Sequence, residues 1–173
     1  MKIFLVGFMG SGKTYWGKIW AEKNAMIFFD LDALIEEQEK KTISAIFETD
    51  GEDHFREKEA MVLRTLPEAN DCIVACGGGT PCYHDNMKWM NEHGGTVYLD
   101  TMVRDLFERV LTEKETRPLV KKLKPDELYF FIEQKLKERE PFYKMATIIL
   151  NSKELDEETF SKKVLPAASK KLK

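Results

Sequence analysis

Residues 7–14 read GFMGSGKT and fit the pattern G-x-x-x-x-G-K-[ST]. They follow a short apolar run, residues 2–6, and precede a segment, residues 14–24, whose apolar side chains recur at helical spacing. Glycines in such a loop let backbone N–H groups turn towards phosphate oxygens, and the helix that follows presents its positive end to them. A strand, this glycine loop and a helix together predict a nucleotide phosphate-binding site.

The contacts expected of this loop follow from its chemistry. Lys13 would reach the β- and γ-phosphates of a nucleoside triphosphate, and the hydroxyl of Thr14 would coordinate Mg²⁺. GTPases and mechanical ATPases use the same kind of loop, so it predicts nucleotide binding without defining the reaction. The nucleotide-binding residues predicted here are Gly10, Ser11, Gly12, Lys13, Thr14 and Tyr15.

Short apolar runs alternate with segments of helical periodicity along the rest of the chain. The predicted strands are residues 2–6, 25–29, 71–75, 96–99 and 147–150. The predicted helices are residues 14–24, 31–40, 43–49, 51–66, 85–93, 102–111, 125–138 and 156–171. Such alternation favours a parallel sheet covered by helices on both faces. We therefore expect one α/β domain over residues 1–173, with three α/β/α layers and about five parallel strands.

Two aspartates, Asp30 and Asp32, stand at the end of the second predicted strand. Side chains two residues apart on a strand point to one face, and open α/β sheets bind ligands at the carboxyl ends of their strands. We expect one carboxylate to hold Mg²⁺ through water and the other to accept the proton of an attacking hydroxyl. The alternative is that Asp32 only caps the helix that follows.

Three separate arginines are candidates for anion binding. Arg56 lies early in a predicted helix, Arg117 lies in a polar loop, and Arg139 follows the helix predicted for residues 125–138. A planar guanidinium can bind a carboxylate or phosphate through two parallel hydrogen bonds. Salt bridges to neighbouring glutamates are the alternative use of Arg56 and Arg139.

Two irregular segments lie near these candidates in sequence. Gly77, Gly78 and Gly79 end the third predicted strand, where they would permit close approach of the backbone to a ligand or would form a loose turn. Residues 112–124 are rich in Lys and Glu and are broken by Pro118, which predicts a mobile loop.

Taken together, the motifs resemble the shikimate kinase family. The resemblance covers about residues 2–150, and each motif is weak alone, but their order along the chain is specific. The matching motifs are residues 7–14, Asp30-x-Asp32, Phe47 with Thr49-Asp50-Gly51, Phe55-Arg56-x-x-Glu59, Gly77-Gly78-Gly79, Arg117-Pro118-Leu119 and Arg139-x-Pro141-x-Tyr143. The resemblance implies a P-loop kinase fold, similar to the nucleoside monophosphate kinases, with a mobile lid. It also implies ATP-dependent phosphorylation of the 3-hydroxyl of shikimate, which gives shikimate 3-phosphate and ADP in aromatic amino acid biosynthesis.

The same resemblance implies a role for each matching residue. Asp32 matches the aspartate that meets the reacting hydroxyl and acts as the base, and Asp30 matches the one that positions Mg²⁺, beside Thr14. Arg56 and Arg139 match the pair that binds the shikimate carboxylate. The other implied substrate contacts are Phe47, Phe55, Gly77, Gly78 and Gly79.

The lid and its approach complete what the resemblance implies. Arg117 matches the lid arginine that closes over the phosphates, so that the implied catalytic residues are Lys13, Asp32 and Arg117. Residues 112–124 would form the lid, and its closure would exclude water from ATP. Residues 31–66 would form the substrate-binding helical segment. The chain departs from the family in having few basic residues before the lid, where Arg109 is the only candidate for stacking on adenine.

Composition limits the classes of function. The chain has 27 Lys+Arg against 30 Asp+Glu, so its net charge of -3 gives no electrostatic reason to expect nucleic acid as a partner. No apolar run approaches the roughly 20 residues that span a bilayer. The three cysteines lack the spacing of zinc or redox sites, and the N-terminus shows no signal-peptide pattern. We expect a cytoplasmic monomer that binds ATP, Mg²⁺ and a small-molecule substrate, with no nucleic-acid or membrane partner.

Two other functions stay open from the residues alone. A related kinase acting on a sugar acid such as gluconate would share the loop and the fold, but it gives no reason for Arg56 and Arg139 to be paired with the glycine triplet. A nucleotide-dependent switch or binding module without an acceptor is the second. GTPases would show an Asn-Lys-x-Asp motif, which this sequence lacks. ATP turnover that rises on addition of a polyol acid would distinguish a kinase from a switch.

Overall fold

The computed structural model of the chain describes residues 1–67, 71–113 and 120–171. Its sheet consists of β1 (Lys2–Val6), β2 (Ile27–Asp30), β3 (Cys72–Ala75), β4 (Gly95–Asp100) and β5 (Ile148–Asn151). The order across the sheet is β2-β3-β1-β4-β5, and every neighbouring pair is parallel. The α/β class and the parallel sheet of about five strands are confirmed.

Helices cover both faces of this sheet. They are α1 (Lys13–Lys23), α2 (Leu31–Glu39), α3 (Ile43–Thr49), α4 (Gly51–Arg64), α5 (Asn86–His93), α6 (Val103–Glu113), α7 (Pro125–Tyr143) and α8 (Leu165–Lys171). Within the described ranges, no helix is both long and apolar enough to cross a membrane.

Strand β1 shows why the sheet needs both helical layers. Ile3 and Leu5 pack into one apolar cluster with Trp20 of α1, whereas Phe4 and Val6 pack into a second cluster on the opposite face. Successive strand side chains point to opposite faces, so a strand that is apolar throughout must be covered on both. The central position of β1 places the loop that follows it in the middle of the ligand-binding edge of the sheet.

The aspartates are arranged differently from the prediction. Asp30 ends β2 and is the N-cap of α2, where its Oδ1 accepts hydrogen bonds from the backbone N–H groups of Asp32 (3.1 Å) and Ala33 (3.4 Å). Asp32 already lies in the first turn of α2, so the expectation that both side chains share one face of a strand was wrong. The capping role proposed as the alternative for Asp32 belongs to Asp30, because the helix begins directly after the strand.

Helix α7 is longer than predicted. It was expected to end at residue 138, but it continues to Tyr143, so Arg139 lies on the helix and not after it. Pro141 favours a helix end because it lacks an N–H group and its ring crowds the carbonyl four residues back. The helix nevertheless continues through Pro141 to Tyr143, whose side chain is buried and donates from its hydroxyl to the carbonyl oxygen of Gly78.

Two other predicted boundaries were wrong. The loop expected at residues 112–124 begins later, since Thr112 and Glu113 continue α6, and its residues 114–119 lie outside the described part of the chain. The last helix was expected from residue 156, but a π-helical turn, Phe160–Val164, precedes α8. That turn buries Phe160 and Val164 against the α1 face of the sheet.

Candidate active site

The glycine loop between β1 and α1 has the backbone shape of an anion site. Gly10 and Gly12 have φ angles of 80° and 92°, which residues with a Cβ atom rarely adopt. Lys13 is only 9% exposed, and its Nζ donates to the carbonyl oxygens of Gly7 and Phe8, both at 2.9 Å. The loop therefore holds its lysine close to the start of α1, where the helix end favours a negative ligand.

A cavity of about 710 Å³ opens over this loop. Most of the predicted nucleotide contacts line it, namely Gly10, Gly12, Lys13, Thr14, Tyr15 and Arg109. Ser11 differs, because its side chain is buried in the loop with Oγ 3.4 Å from Nζ of Lys13. Arg109 extends from α6 and donates from Nη1 to the carbonyl oxygen of Gly10 at 3.0 Å.

The oxygen pair expected to hold Mg²⁺ is present. Thr14 donates from Oγ1 to Oδ2 of Asp30 at 2.9 Å, which brings both oxygens to the mouth of the phosphate loop. In the described ranges, no group of three or more His, Cys, Asp or Glu could hold a metal ion. Mg²⁺ that is coordinated by nucleotide phosphates needs only one or two protein oxygens, so this pair fits.

A second cavity, of about 590 Å³, lies beside the first. The residues predicted to contact substrate all line it: Asp32, Phe47, Phe55, Arg56, Gly77, Gly78, Gly79 and Arg139. The rings of Phe47 and Phe55 pack with centroids 4.8 Å apart and form an apolar wall. The two cavities share Met9, Asp30, Asp32, Gly77 and Gly78. An acceptor in one cavity would therefore meet a terminal phosphate in the other beside the two aspartates.

Asp32 has the electrostatic properties of a general base. Burial raises the pKa of its carboxyl group from 3.8 to about 6, with the charges of Glu59 and Asp30 acting in the same direction. The charges of Lys13 and Arg56 oppose this rise. A carboxylate with a pKa near 6 is still mostly ionised at neutral pH and accepts a proton more readily than an ordinary aspartate.

Arg56 is held by two glutamates on its own helix. Its Nη1 donates to Oε2 of Glu59 at 2.9 Å, and its Nη2 donates to Oε1 of Glu52 at 3.0 Å. The salt bridges that were the alternative use of this arginine are therefore present. Arg56 nevertheless lines the second cavity. Gly79 permits this position, since a Cβ there would lie 2.7–2.8 Å from three atoms of the guanidinium.

Arg139 is placed differently. It is 8% exposed and makes no ion pair with an acidic side chain of the described residues, although its charge acts on the buried Glu59 and lowers the pKa of that carboxyl group. Its guanidinium lies 5.6 Å from the ring centroid of Phe8, and a Cβ on Gly78 would lie 3.6 Å from its Nη1. Buried charges are normally paired, so a cationic group in this setting indicates an anionic ligand.

Glu59 is a site residue to which sequence reasoning gave no role. It is fully buried, lines the acceptor cavity, and accepts from Arg56 and from Oγ1 of Thr80, the latter at 2.5 Å. Burial raises its pKa, and the charge of Arg56 opposes that rise. Its position three residues after Arg56 on one helix was the available signal, because such pairs lie on the same helix face.

Arg117, the third predicted catalytic residue, lies outside the described residues, together with the rest of residues 114–119 of the expected lid. The described flanks of that segment are helix α6, which ends at Glu113, and residues 120–124, which lead into helix α7 at Pro125. The roles assigned to Arg117 and to the lid therefore stay predictions.

Replacing Gly79 with alanine should weaken binding of an acidic acceptor. The new Cβ would overlap the guanidinium of Arg56, so the arginine must move from its place in the cavity. We expect the acceptor KM to rise by roughly tenfold or more, with the KM for ATP nearly unchanged, because a close charged contact is typically worth about 1.5–3 kcal/mol. Steady-state kinetics with each substrate varied in turn would measure this.

Gly51→Ala is the matched control for that substitution. Gly51 has a φ of 86°, so alanine strains the backbone there, yet its Cβ would meet nothing within 4 Å. This variant should lose stability without a change in acceptor KM. An equal rise in KM for both variants would show that Gly79→Ala acts through general destabilisation.

The fold and the site define the class of protein. A phosphate loop follows the central strand of a parallel sheet, and a second cavity meets the nucleotide cavity at a carboxylate suited to take a proton. This arrangement is that of an ATP-dependent phosphotransferase acting on a small molecule.

Comparison with known proteins identifies the family. The family model for shikimate kinase matches residues 9–168. A shikimate kinase of Phocaeicola vulgatus is 42% identical over 171 residues, which are 99% of this chain and 98% of that relative. The crystal structure of shikimate kinase from Bacteroides thetaiotaomicron has a TM-score of 0.85 at 43% identity, covering 90% of this chain and 89% of that one. Shikimate kinase from Acinetobacter baumannii, in complex with shikimate, has a TM-score of 0.83 at 33% identity, covering 95% and 90%.

This chain belongs to the shikimate kinase family. The resemblance on which the sequence interpretation depended is confirmed, as are the kinase class and the use of ATP with Mg²⁺.

Proposed function

We propose that this protein transfers the γ-phosphoryl group of ATP to the 3-hydroxyl of shikimate and releases shikimate 3-phosphate and ADP. The observation that carries the proposal is the buried Arg139, which lines the same cavity as Arg56 and makes no ion pair with an acidic side chain of the described residues. An acceptor that presents a carboxylate to these arginines can place a hydroxyl near Asp32 on the side shared with the nucleotide cavity. Membership of the shikimate kinase family supports shikimate as that acceptor.

The nucleotide side of the reaction depends on the phosphate loop. Lys13 and the N–H groups of the loop would bind the β- and γ-phosphates, and Thr14 and Asp30 would hold Mg²⁺. Mg²⁺, when bound there, would offset part of the negative charge of the nucleotide phosphates. The protein residues thereby orient the terminal phosphate towards the acceptor cavity, since Asp30 lines both cavities.

The acceptor side depends on Asp32. As the substrate oxygen forms its bond to the γ-phosphorus, the bond from that phosphorus to the β–γ bridging oxygen breaks and ADP leaves. Asp32 takes the proton of the attacking hydroxyl, for which a pKa near 6 suits it. Arg56 and Arg139 hold the substrate carboxylate, so the hydroxyl is positioned before the reaction.

The remaining sequence-based assignments belong to the same proposal. The chain would act as one domain over residues 1–173, with residues 31–66 as the substrate-binding helical segment and residues 112–124 as a lid that carries Arg117. Arg109 would contact adenine, consistent with its position in the nucleotide cavity. The protein would work as a cytoplasmic monomer on ATP and shikimate, without nucleic-acid or membrane partners.

The direct test uses a coupled assay to measure ADP release from MgATP. The acceptor is shikimate, quinate or gluconate, and the blank contains buffer alone. We expect turnover with shikimate to exceed the other three by at least about tenfold, since acceptors of the wrong shape lose the paired contacts to the arginines. Preference for gluconate would leave the nucleotide site intact but would contradict the roles of Arg56 and Arg139. Turnover indifferent to every acceptor would favour a nucleotide-dependent switch.

A further inference from the structure

Arg56 is held by Glu52, which lies outside the cavity that the arginine lines, and by Glu59, which lines that cavity with it. Its Nε and Nη2 both donate to Oε1 of Glu52, at 3.2 and 3.0 Å, and its Nη1 donates to Glu59. Each terminal nitrogen carries a second hydrogen beyond the one used in these contacts. The two remaining N–H groups suffice for a paired contact with a carboxylate, provided that the guanidinium keeps its orientation.

Tyr83 supplies a further restraint on that orientation. Cζ of Arg56 lies 4.4 Å from the centroid of the Tyr83 ring, which is within range for a cation–π contact. The Tyr83 hydroxyl donates to Oε1 of Glu52 at 3.3 Å, the same oxygen that accepts from Arg56. Tyr83 lies outside the lining of both described cavities and is 36% exposed. It therefore contacts the arginine and its glutamate but not the space that a substrate would fill.

The backbone that presents Tyr83 is strained and is held in place. The next two residues, His84 and Asp85, have φ angles of 48° and 55°, which residues other than glycine adopt at a cost of about 1–2 kcal/mol each. Arg64 holds this turn by donating to the His84 carbonyl oxygen and to Oδ1 of Asn86, both at 2.7 Å. Arg64 and Arg56 lie on the same helix, α4, so one rigid element carries both the guanidinium and the anchor of the turn.

We propose that Tyr83, together with Glu52, is a positioning residue that orients Arg56 towards the carboxylate of the acceptor. This inference rests on the proposed function. The ring restrains the guanidinium and the hydroxyl restrains Glu52, so the N–H groups that face the cavity are ordered before the substrate arrives. Loss of the ring should weaken acceptor binding and leave phosphoryl transfer from the bound acceptor unchanged, because Tyr83 contacts neither cavity.

The test compares Tyr83→Leu with Tyr83→Phe. We expect Tyr83→Leu to raise the KM for shikimate by roughly 3- to 10-fold, with kcat within about twofold and the KM for ATP unchanged. Tyr83→Phe keeps the ring and should restore most of the affinity. Phe130→Leu is the matched control, since Phe130 is an exposed aromatic residue on α7 outside both cavities. An unchanged shikimate KM in Tyr83→Leu, or a loss confined to kcat, would overturn the proposal.

A second measurement separates action through Arg56 from general loosening of the site. In an Arg56→Ala background, Tyr83→Leu should cause no further loss of shikimate binding, as measured by titration calorimetry. A loss as large as that seen in the wild-type background would overturn the positioning role. If the wild-type protein showed no shikimate-dependent turnover, the proposed function would fail first. Normal wild-type turnover together with an unchanged shikimate KM in Tyr83→Leu would contradict only the role of Tyr83.

Discussion

Asp32→Asn is expected to lower kcat by about 10²–10⁴-fold while the affinity for ATP stays nearly intact. The amide keeps the size and approximate shape of the side chain but cannot accept the proton of the attacking hydroxyl. Steady-state kinetics and a nucleotide-binding titration would measure the two effects separately. Asp53→Asn, which changes an exposed carboxylate on α4, is the matched control and should retain full activity. Turnover by Asp32→Asn at the wild-type rate would contradict the assignment of the base.

The same substitution should make the protein more stable at neutral pH. The folded protein raises the pKa of Asp32 from 3.8 to about 6, so between about pH 4 and 6 it binds more protons than the unfolded chain. Its stability therefore falls as the pH rises through this window, and asparagine does not titrate. Above pH 6 the variant should gain at most about 3 kcal/mol in the free energy of unfolding, the equivalent of a pKa rise from 3.8 to about 6, visible as a higher Tm in thermal denaturation. A lower Tm would mean that lost activity reflects damage to the fold.

Wild-type activity should follow the same ionisation. Protonated Asp32 cannot act as a base, so kcat/KM for shikimate is expected to fall by about tenfold per pH unit below pH 6. A profile measured between about pH 5 and 8 would show this limb. A flat profile down to pH 5 would contradict the environment assigned to Asp32.

Arg139→Ala is expected to have the largest effect on acceptor binding. Removing one partner of a buried, charged contact typically costs about 2–5 kcal/mol, which corresponds to a loss of roughly 30- to 4,000-fold in kcat/KM for shikimate. The loss should fall mainly on KM, and the KM for ATP should change little, because Arg139 lines the acceptor cavity and not the nucleotide cavity.

Two further variants sharpen that result. Arg139→Lys keeps the charge but not the planar fork, so it should recover only part of the lost affinity. Arg104→Ala removes an exposed arginine whose partner is Glu108, and it should behave as the wild type does. A normal shikimate KM in Arg139→Ala would contradict the role of this residue in acceptor binding. Arg139→Ala should also not be rescued by raising the ATP concentration.

The parts of the site that are formed by residues close together in sequence were predictable. The phosphate loop is a contiguous stretch whose glycine positions, lysine and threonine carry the chemistry by themselves. Arg56, Arg139 and the glycine triplet were each ambiguous alone, and only their order along the chain pointed to one family. The boundaries were less predictable, as Pro141 shows. Helix α7 continues past this proline to the buried Tyr143, which donates to the carbonyl oxygen of Gly78, so contacts distant in sequence outweigh the local preference of proline for a helix end.

The support of the site was not predictable. Glu59 meets Thr80, and Tyr83 meets Arg56, across separations of more than 20 residues that depend on how β3 and α4 pack. The value of the Asp32 pKa likewise depends on burial and on Glu59, neither of which a pattern of residues gives.

The amino-acid sequence by itself determined the fold class, the phosphate loop and the family, since periodicity and contiguous motifs are local properties of the chain. The tertiary structure alone decided that Asp30 caps α2 while Asp32 lines both cavities. It also decided that Arg56 is paired with glutamates, whereas Arg139 makes no ion pair with an acidic side chain of the described residues, and that Tyr83 lies against Arg56. The physical reason is that charge, burial and orientation are set by neighbours in space. The order of the strands brings these neighbours together from distant parts of the chain.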